Sequence, residues 1–407
     1  MADVDVYLSG TPTGRLAKVG EKHVFTYDVP QTSDVNNREA VSLTMPLRLE
    51  SYSHEALHPV FQMNLPEGHL REVIERATAK QYGSDDLTML AILGRNHIGR
   101  LEYSRSGQPL PPKSDQVPDL FSLLGSNDEQ LFSQLMDRFA LQSAVAGVQP
   151  KVLVDLAANP TDKVTFPLDS YIIKSWGDEF PELACNEYVC LTLCREAGLN
   201  TAPFYLSDNG RLLITERFDI DDNKVPMGFE DFCVLQGKTT REKYDASLES
   251  CTNVIRHFVS PEYQPRALSD FFKLTLINIL VRNGDAHLKN SGVIYSDLKG
   301  HTVGQLPAVK RFLAPVFDVV STVPYLPNDT MALSLTGSKR WPKWKVLEKF
   351  GKSHCGLNNR EIKTIVADIE QAVHKTLPLL AKLKNSHPSF AGIADQMEKL
   401  MHTSFDS

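Results

Sequence analysis

The sequence predicts an α+β fold, and three observations carry that expectation. Val4, Val6 and Leu8 alternate with Asp3, Asp5 and Tyr7, Gly10 and Gly14 punctuate, and His23 to Tyr27 is β-prone, so residues 4 to 27 read as an antiparallel meander of half-buried strands. Beyond residue 60 the apolar spacing changes to a 3.6-residue period, first through Leu70, Val73, Ile74 and Ala77. Much later, Ile362, Ile365, Val366 and Ile369 form one stripe in a helical C-terminal stretch.

The chain has 407 residues, 42% hydrophobic and 23% charged, which is ample for a core and for two or three domains. The N-terminus Met1-Ala2-Asp3-Val4-Asp5 is acidic and alternating, unlike a signal peptide. The apolar run from Ile277 to Val281 falls well short of the ~20 residues that a bilayer span needs. A soluble, cytoplasmic protein is expected. Six cysteines include no C-x-x-C pair, so reduced structural thiols are expected. A net charge of −7 makes the isolated chain a poor coat for nucleic acid, although a local basic face can still contact it.

Ser84 could cap a helix carrying Leu87, Leu90 and Ala91 that stops at Gly94. His54-Glu55-Ala56-Leu57-His58 satisfies H-E-x-x-H, which on a helix would hold zinc for a hydrolase; Pro59 argues instead for a surface turn. The Pro- and Ser-rich stretch 104–118 reads as a linker. It divides an N-terminal α+β subdomain, 1–103, from a second α/β segment, 119–220, which a helical region, 221–407, follows.

Ala146-Gly147-Val148-Gln149-Pro150-Lys151 precedes the strand-like Val152-Leu153-Val154. Such a turn can present N–H groups to phosphate, and an ordinary hairpin has the same pattern. Tyr171-Ile172-Ile173-Lys174 is a β-prone run ending in lysine, and Glu187 lies early in the helix that follows. Protein kinases order their lysine strand and glutamate helix in that way. Two strands then end in Leu212 to Asp219, where Glu216, Arg217 and Phe218 suit an adenine-binding connection or a plain surface pair.

A long apolar helix, Leu268 to Val281, opened by Ser269, delivers Gly284-Asp285-Ala286-His287-Leu288-Lys289-Asn290. Asp and Asn at that separation match the kinase D-x-x-x-x-N spacing of base and Mg2+ ligand, and also suit a polar loop after a helix. Asp318, inside the apolar run Leu313 to Val320 that reads as a strand, needs a strong partner, for which Mg2+ is apt. Lys339 to Lys352 mixes basic and aromatic residues, as a nucleic-acid face does or as a solvated face anchored by Trp341 and Trp344 would.

Taken together, these segments resemble the HipA family of bacterial serine/threonine-protein kinase toxins over nearly the whole chain. The resemblance rests on residues 42–48, 64–68, 146–151, 171–174, 186–188, 216–219, 230–233, 284–290 and 314–318. It implies a two-lobed protein-kinase-like fold, with a mixed α/β N-lobe and an all-helical C-lobe, that uses ATP and Mg2+. Asp285 would be the catalytic base and Asn290 and Asp318 the metal ligands. Lys174 would contact phosphate, Ala146 to Lys151 would form the phosphate loop, and Glu216 with Phe218 would meet adenine. Arg217, His287, Lys289 and Phe317 would complete the nucleotide site. The resemblance also implies an aminoacyl-tRNA synthetase as substrate, notably the glutamyl enzyme, and a helix-turn-helix antitoxin that binds operator DNA.

Two departures stand out. Ala144 occupies the position where the family carries an autophosphorylated serine, with Ser143 beside it. The site has slid by one, or the self-inactivating switch is missing, or the alanine was introduced to keep the chain active. Pro150 removes one N–H from the phosphate loop. The alternative from another class is a catalytically silent pseudokinase acting as an antitoxin and DNA co-repressor module.

Overall fold

The computed structural model describes residues 3–28, 38–67, 71, 75, 85–94, 97–110, 151–156, 169–174 and 180–403. They fall into two compact units: Met1–Lys174 with Glu216–Thr240 and Ile294–Arg311, and Ser175–Thr215 with Arg241–Val293 and Phe312–Ser407.

In the first unit the expected meander is present. Strands β1 (Val4–Leu8), β2 (Thr11–Val19), β3 (Lys22–Tyr27), β4 (Tyr52–His54) and β5 (Leu101–Arg105) form one sheet in the order β4-β3-β2-β1-β5, with antiparallel neighbours. Val4, Val6 and Leu8 are all buried, so the two-residue alternation has its usual cause, one face on a core. That core includes Phe25, Phe61 and Tyr103, whose rings meet at 5.2 Å (Phe25–Phe61) and 6.4 Å (Phe61–Tyr103). Asn64 donates to the Tyr103 hydroxyl at 2.7 Å, which anchors the first residue of the Asn64-Leu65-Pro66-Glu67 run to the sheet. β5 runs through Ser104 and Arg105, the first residues assigned to the linker.

A buried carboxylate joins two of the segments that carried the family resemblance. Glu230 accepts from Ser42 Oγ at 2.6 Å, from the Leu43 N–H at 2.7 Å and from the Tyr295 hydroxyl at 2.6 Å. Burial pushes its pKa up, and the three donors oppose that shift. These residues hold the unit together rather than face a substrate.

Several sequence expectations need correction. The Asp86–Leu93 helix is capped by Asp85, whose carboxylate accepts from the Thr88 N–H, and not by Ser84; it does end at Gly94. His54 ends a strand while His58 caps a separate short helix, Pro59–Gln62, through Nδ1 to the Val60 N–H. The two imidazoles therefore share no helix, and the zinc-hydrolase geometry fails. Nor is the stretch 221–407 all-helical: it holds strands Gly228–Asp231, Gly292–Tyr295 and Arg311–Leu313, too short to show a period. Strands Lys151–Leu156 and Asp169–Lys174 pair antiparallel, with Lys151 opposite Lys174.

The second unit is mainly helical. Its helices are Leu183–Glu196, Leu248–Phe258, Gln264–Leu280, Trp344–Ser353, Asn359–Ser386 and Ala391–Met401. The Asn359–Ser386 helix packs along Leu183–Glu196 and opens with a capping box of Asn358 and Glu361. Its Ile362, Ile365 and Ile369 are buried, as the stripe requires. Lys273 is buried but satisfied: its ammonium donates to the Ala197 carbonyl at 2.7 Å and to Asp368 at 2.8 Å, tying three segments. All six cysteines are free and buried. Burial raises Cys251 and Cys355 to about 12 and also pushes the Cys190 thiol well up, which suits inert structural thiols.

Candidate active site

The site is built on the end of the Gln264–Leu280 helix, which starts earlier than Ser269 because Pro265 sits comfortably in a first turn. Its C-terminus closes on Asn278. The Asn283 N–H donates to the Asn278 carbonyl at 2.8 Å, and Asn283 Nδ2 donates to Asn278 Oδ1 at 2.9 Å. Arg282 takes a left-handed backbone, φ 54°, and so turns the chain out of the helix.

Gly284 follows for a steric reason. A Cβ there would collide with the Asp329 carboxylate and come within 2.7 Å of the Thr330 carbonyl. The Gly284 N–H donates to Thr322 Oγ1 at 2.9 Å, and that hydroxyl lies 2.9 Å from the Arg282 carbonyl and in hydrogen-bonding range of Asp329. Thr322 and Asp329 are thus the scaffold of the loop, and nothing in the sequence spacing announced them.

Asp285 is half-buried. Its N–H is held by Asn283 Oδ1 at 3.1 Å, and its carbonyl accepts from the His287 N–H at 2.8 Å. Its Oδ1 accepts from the Tyr244 hydroxyl at 2.7 Å and lies 3.9 Å from His287 Nε2. Tyr244 was not among the residues expected from the sequence.

One short 3-10 turn, Leu288–Asn290, places Asn290 and Lys289 after Asp285. Asn290 Nδ2 donates to the Asp318 carbonyl at 3.2 Å, so the two expected metal ligands are brought together. Asn290 Oδ1 is buried and has no hydrogen-bond partner. Such an acceptor costs about 1–3 kcal/mol if it stays bare, and an oxygen-seeking cation would satisfy it. A bare amide oxygen, on a side chain tied to the backbone of an aspartate, suits Mg2+, which takes few protein ligands and keeps water or phosphate for the rest. Among the described residues no three His, Cys, Asp or Glu side chains converge as a metal site.

Asp318 does not lie in a strand. The strand ends at Leu313, and Asp318 is half-buried with a left-handed φ of 55°. A non-glycine residue in that region is uncommon and marks a constrained position. Just beyond, Asn186 clamps the backbone of Ser321 with both ends of its amide, donating to the carbonyl at 2.8 Å and accepting from the N–H at 2.8 Å. Its neighbour Glu187 is buried on the same Leu183–Glu196 helix.

Phe317 is half-buried next to Asp318 in the chain and belongs to the same unit, while the remaining expected residues belong to the other unit or lie outside the described residues. Lys174 is buried at the end of its strand. Glu216 ends the Leu213–Glu216 strand. Arg217 has a structural task, since its guanidinium holds the buried Asp219 and donates to the His97 carbonyl at 2.8 Å. Phe218 packs edge-on against Phe229, centroids 5.2 Å apart. Ser143, Ala144 and the loop residues Ala146, Gly147, Val148 and Gln149 lie outside the described residues, and of Lys151 only the strand backbone is described.

With this geometry in hand, comparison with known proteins is decisive for the family. The HipA-like C-terminal domain model matches residues 143–377 and the HipA N-terminal domain model residues 4–104. The chain belongs to the HipA family. Among its relatives, the candidate kinase Y4dM of Sinorhizobium fredii is 26% identical over 429 residues, covering 94% of this chain and 95% of its own. A second candidate kinase of that organism, Y4mE, is 27% identical over 372 residues, 84% of each chain. Among solved structures, the Shewanella oneidensis toxin–antitoxin complex of HipA, HipB and operator DNA superposes with a TM-score of 0.67 at 16% identity, covering 98% of this chain and 97% of that one. This HipA-family chain therefore shares that fold, and it contains no helix, among the described residues, long and apolar enough to cross a membrane.

Proposed function

We propose that this HipA-family protein is an ATP- and Mg2+-dependent protein serine/threonine kinase. The observation that carries the reading is the Asp285–Asn290–Asp318 constellation, with the Asn290 amide nitrogen tied to Asp318 and its oxygen buried without a partner. Relatives described as candidate kinases support the same class.

In this reading Asp285 accepts the proton of the attacking hydroxyl, and its fixed backbone aims the carboxylate. Asn290 Oδ1 and the Asp318 carboxylate would hold Mg2+. When bound, the metal neutralises charge on the phosphate oxygens. Lys174 contacts phosphate, residues 146–151 cradle it, and Glu216 and Phe218 meet adenine. His287, Lys289 and Phe317 complete the nucleotide surroundings. Arg217 contributes indirectly, through Asp219 and the His97 carbonyl.

The substrate we propose is an aminoacyl-tRNA synthetase, the glutamyl enzyme first, whose phosphorylation would halt translation. A helix-turn-helix antitoxin would be the partner, in keeping with the HipB-bound state of the Shewanella protein, and operator DNA would be reached only through it. The net charge of −7 agrees with that division of labour. Alanine at 144 has no oxygen to carry a phosphate, so we propose that long incubation with Mg-ATP leaves ATP binding intact.

The test is incubation with Mg-ATP and a panel of purified synthetases, with phosphate incorporation read by mass spectrometry. Phosphate on one synthetase is the expected result. No incorporation into any of them, with no turnover of ATP, would favour the pseudokinase.

A further inference from the structure

We infer that Tyr244 is a positioning residue for Asp285, fixing one carboxylate oxygen so that the other is presented to the acceptor hydroxyl. This rests on the kinase reading above. A free aspartate rotates about its terminal torsion through a broad, roughly two-fold well, and both oxygens exchange places. Here the phenol hydroxyl donates to Oδ1 at 2.7 Å, which singles out one orientation and leaves Oδ2 to receive a proton.

The phenol can do this because it is itself held. Its ring meets the His287 ring edge-on with centroids 5.1 Å apart, against the same loop that carries Asp285. Its own carbonyl accepts from Lys339 Nζ at 2.9 Å. One residue earlier, the Lys243 carbonyl accepts the Leu288 N–H at 3.1 Å, so backbone ties the Tyr244 segment to the turn that places Asn290. Lys243 also lies over the Tyr244 ring, 5.5 Å from its centroid, with its stem buried. Asp285, His287 and Lys243 all face the phenol, and Asp285 Oδ1 accepts its proton.

Tyr244→Phe keeps the ring and removes the one donor, so the fold should survive. A hydrogen bond to a charged group is worth enough to lower kcat by about 10- to 100-fold when it positions the base. KM for ATP should change much less, because the substitution removes only the donor to the Asp285 carboxylate and keeps the ring that packs on His287. The decisive readout is kcat against KM on Mg-ATP turnover, measured as ADP release with and without purified glutamyl-tRNA synthetase, beside the Tm of the variant. If Tyr244 acts through the carboxylate, Tyr244→Phe lowers kcat at near-parental KM and parental Tm. A loss of turnover that comes with a lower Tm and a raised KM would mean a structural role and overturn the inference. A faster Tyr244→Phe enzyme would overturn it too, because the phenol would then be blocking the base. If Asp285→Asn is inactive while Tyr244→Phe matches the parent, the positioning role fails and the kinase reading stands. If Asp285→Asn turns over Mg-ATP like the parent, both fail together.

Discussion

At the residue scale, the chemistry narrows to a few atoms that the loop places without freedom. Gly284 is required because its neighbour is the Asp329 carboxylate and not because of a left-handed backbone. Gly284→Ala must displace Asp329, breaking its link to Thr322 and with it the seat of the Gly284 N–H. We expect a loss of about 1–3 kcal/mol, as for other overpacked sites, and a greater loss of turnover than of Mg-ATP binding. Urea unfolding alongside kinetics would check both parts, and an unperturbed variant would remove the steric argument. Asn290→Ala and Asp318→Ala delete the two oxygen ligands proposed for Mg2+. Each should weaken nucleotide binding in Mg2+ but not in EDTA, and calorimetry that finds parental Mg-ATP affinity in both would sink the metal assignment.

At the element scale, the Leu183–Glu196 helix is linked to the segment after Asp318 by the two-pronged Asn186 clamp. Asn186→Ala leaves the Ser321 carbonyl and N–H buried and bare, which should cost roughly 1–3 kcal/mol and loosen the chain that carries Asp318. The expected signature is a lower Tm together with a larger Mg2+ requirement for turnover; a lower Tm alone would confine Asn186 to the core. Much of this level was legible beforehand. The alternation of Val4, Val6 and Leu8 has one solution, and so does the stripe of Ile362, Ile365 and Ile369. Asp285 and Asn290 stood out because an apolar helix gives way to charge at that point. The parts that stayed hidden depend on contacts distant in sequence. Tyr244 reaches Asp285 across 41 positions, and the Asn186–Ser321 clamp spans 135. Asp318 was misread as a strand residue because its apolar neighbours imitate one, while its left-handed φ is set by the loop it closes. The short strands Gly228–Asp231 and Arg311–Leu313 were missed because three or four residues cannot display a period.

At the scale of the whole molecule, stability should depend on pH through the buried His97 and the half-buried His58 of the first unit. Burial lowers His58 to about 3 and His97 to about 4, against an ordinary value near 6.5. The unfolded chain then binds more protons than the folded one below pH 6.5, so stability is full above that value and falls as the pH drops toward 4. Each histidine contributes up to about 1.4 kcal/mol per pH unit in that window. Denaturant melts at pH 7.5 and 5.0 should show the loss, and His97→Gln should reduce its slope. The basic face offers another prediction for the assembled system: Lys339, Lys343 and Lys345 are exposed. Neutralising Lys343 and Lys345 should lower the salt sensitivity of operator binding by an antitoxin complex, and an unchanged slope would return the segment to a solvated face. The activity proposed for this HipA-family protein is transfer of the γ-phosphate of ATP with Asp285 as base. Its most direct test is Asp285→Asn against the parent, with phosphate incorporation into a synthetase and Mg-ATP affinity measured in parallel. Transfer should be abolished at nearly unchanged affinity; transfer at the parental rate would remove Asp285 from the chemistry.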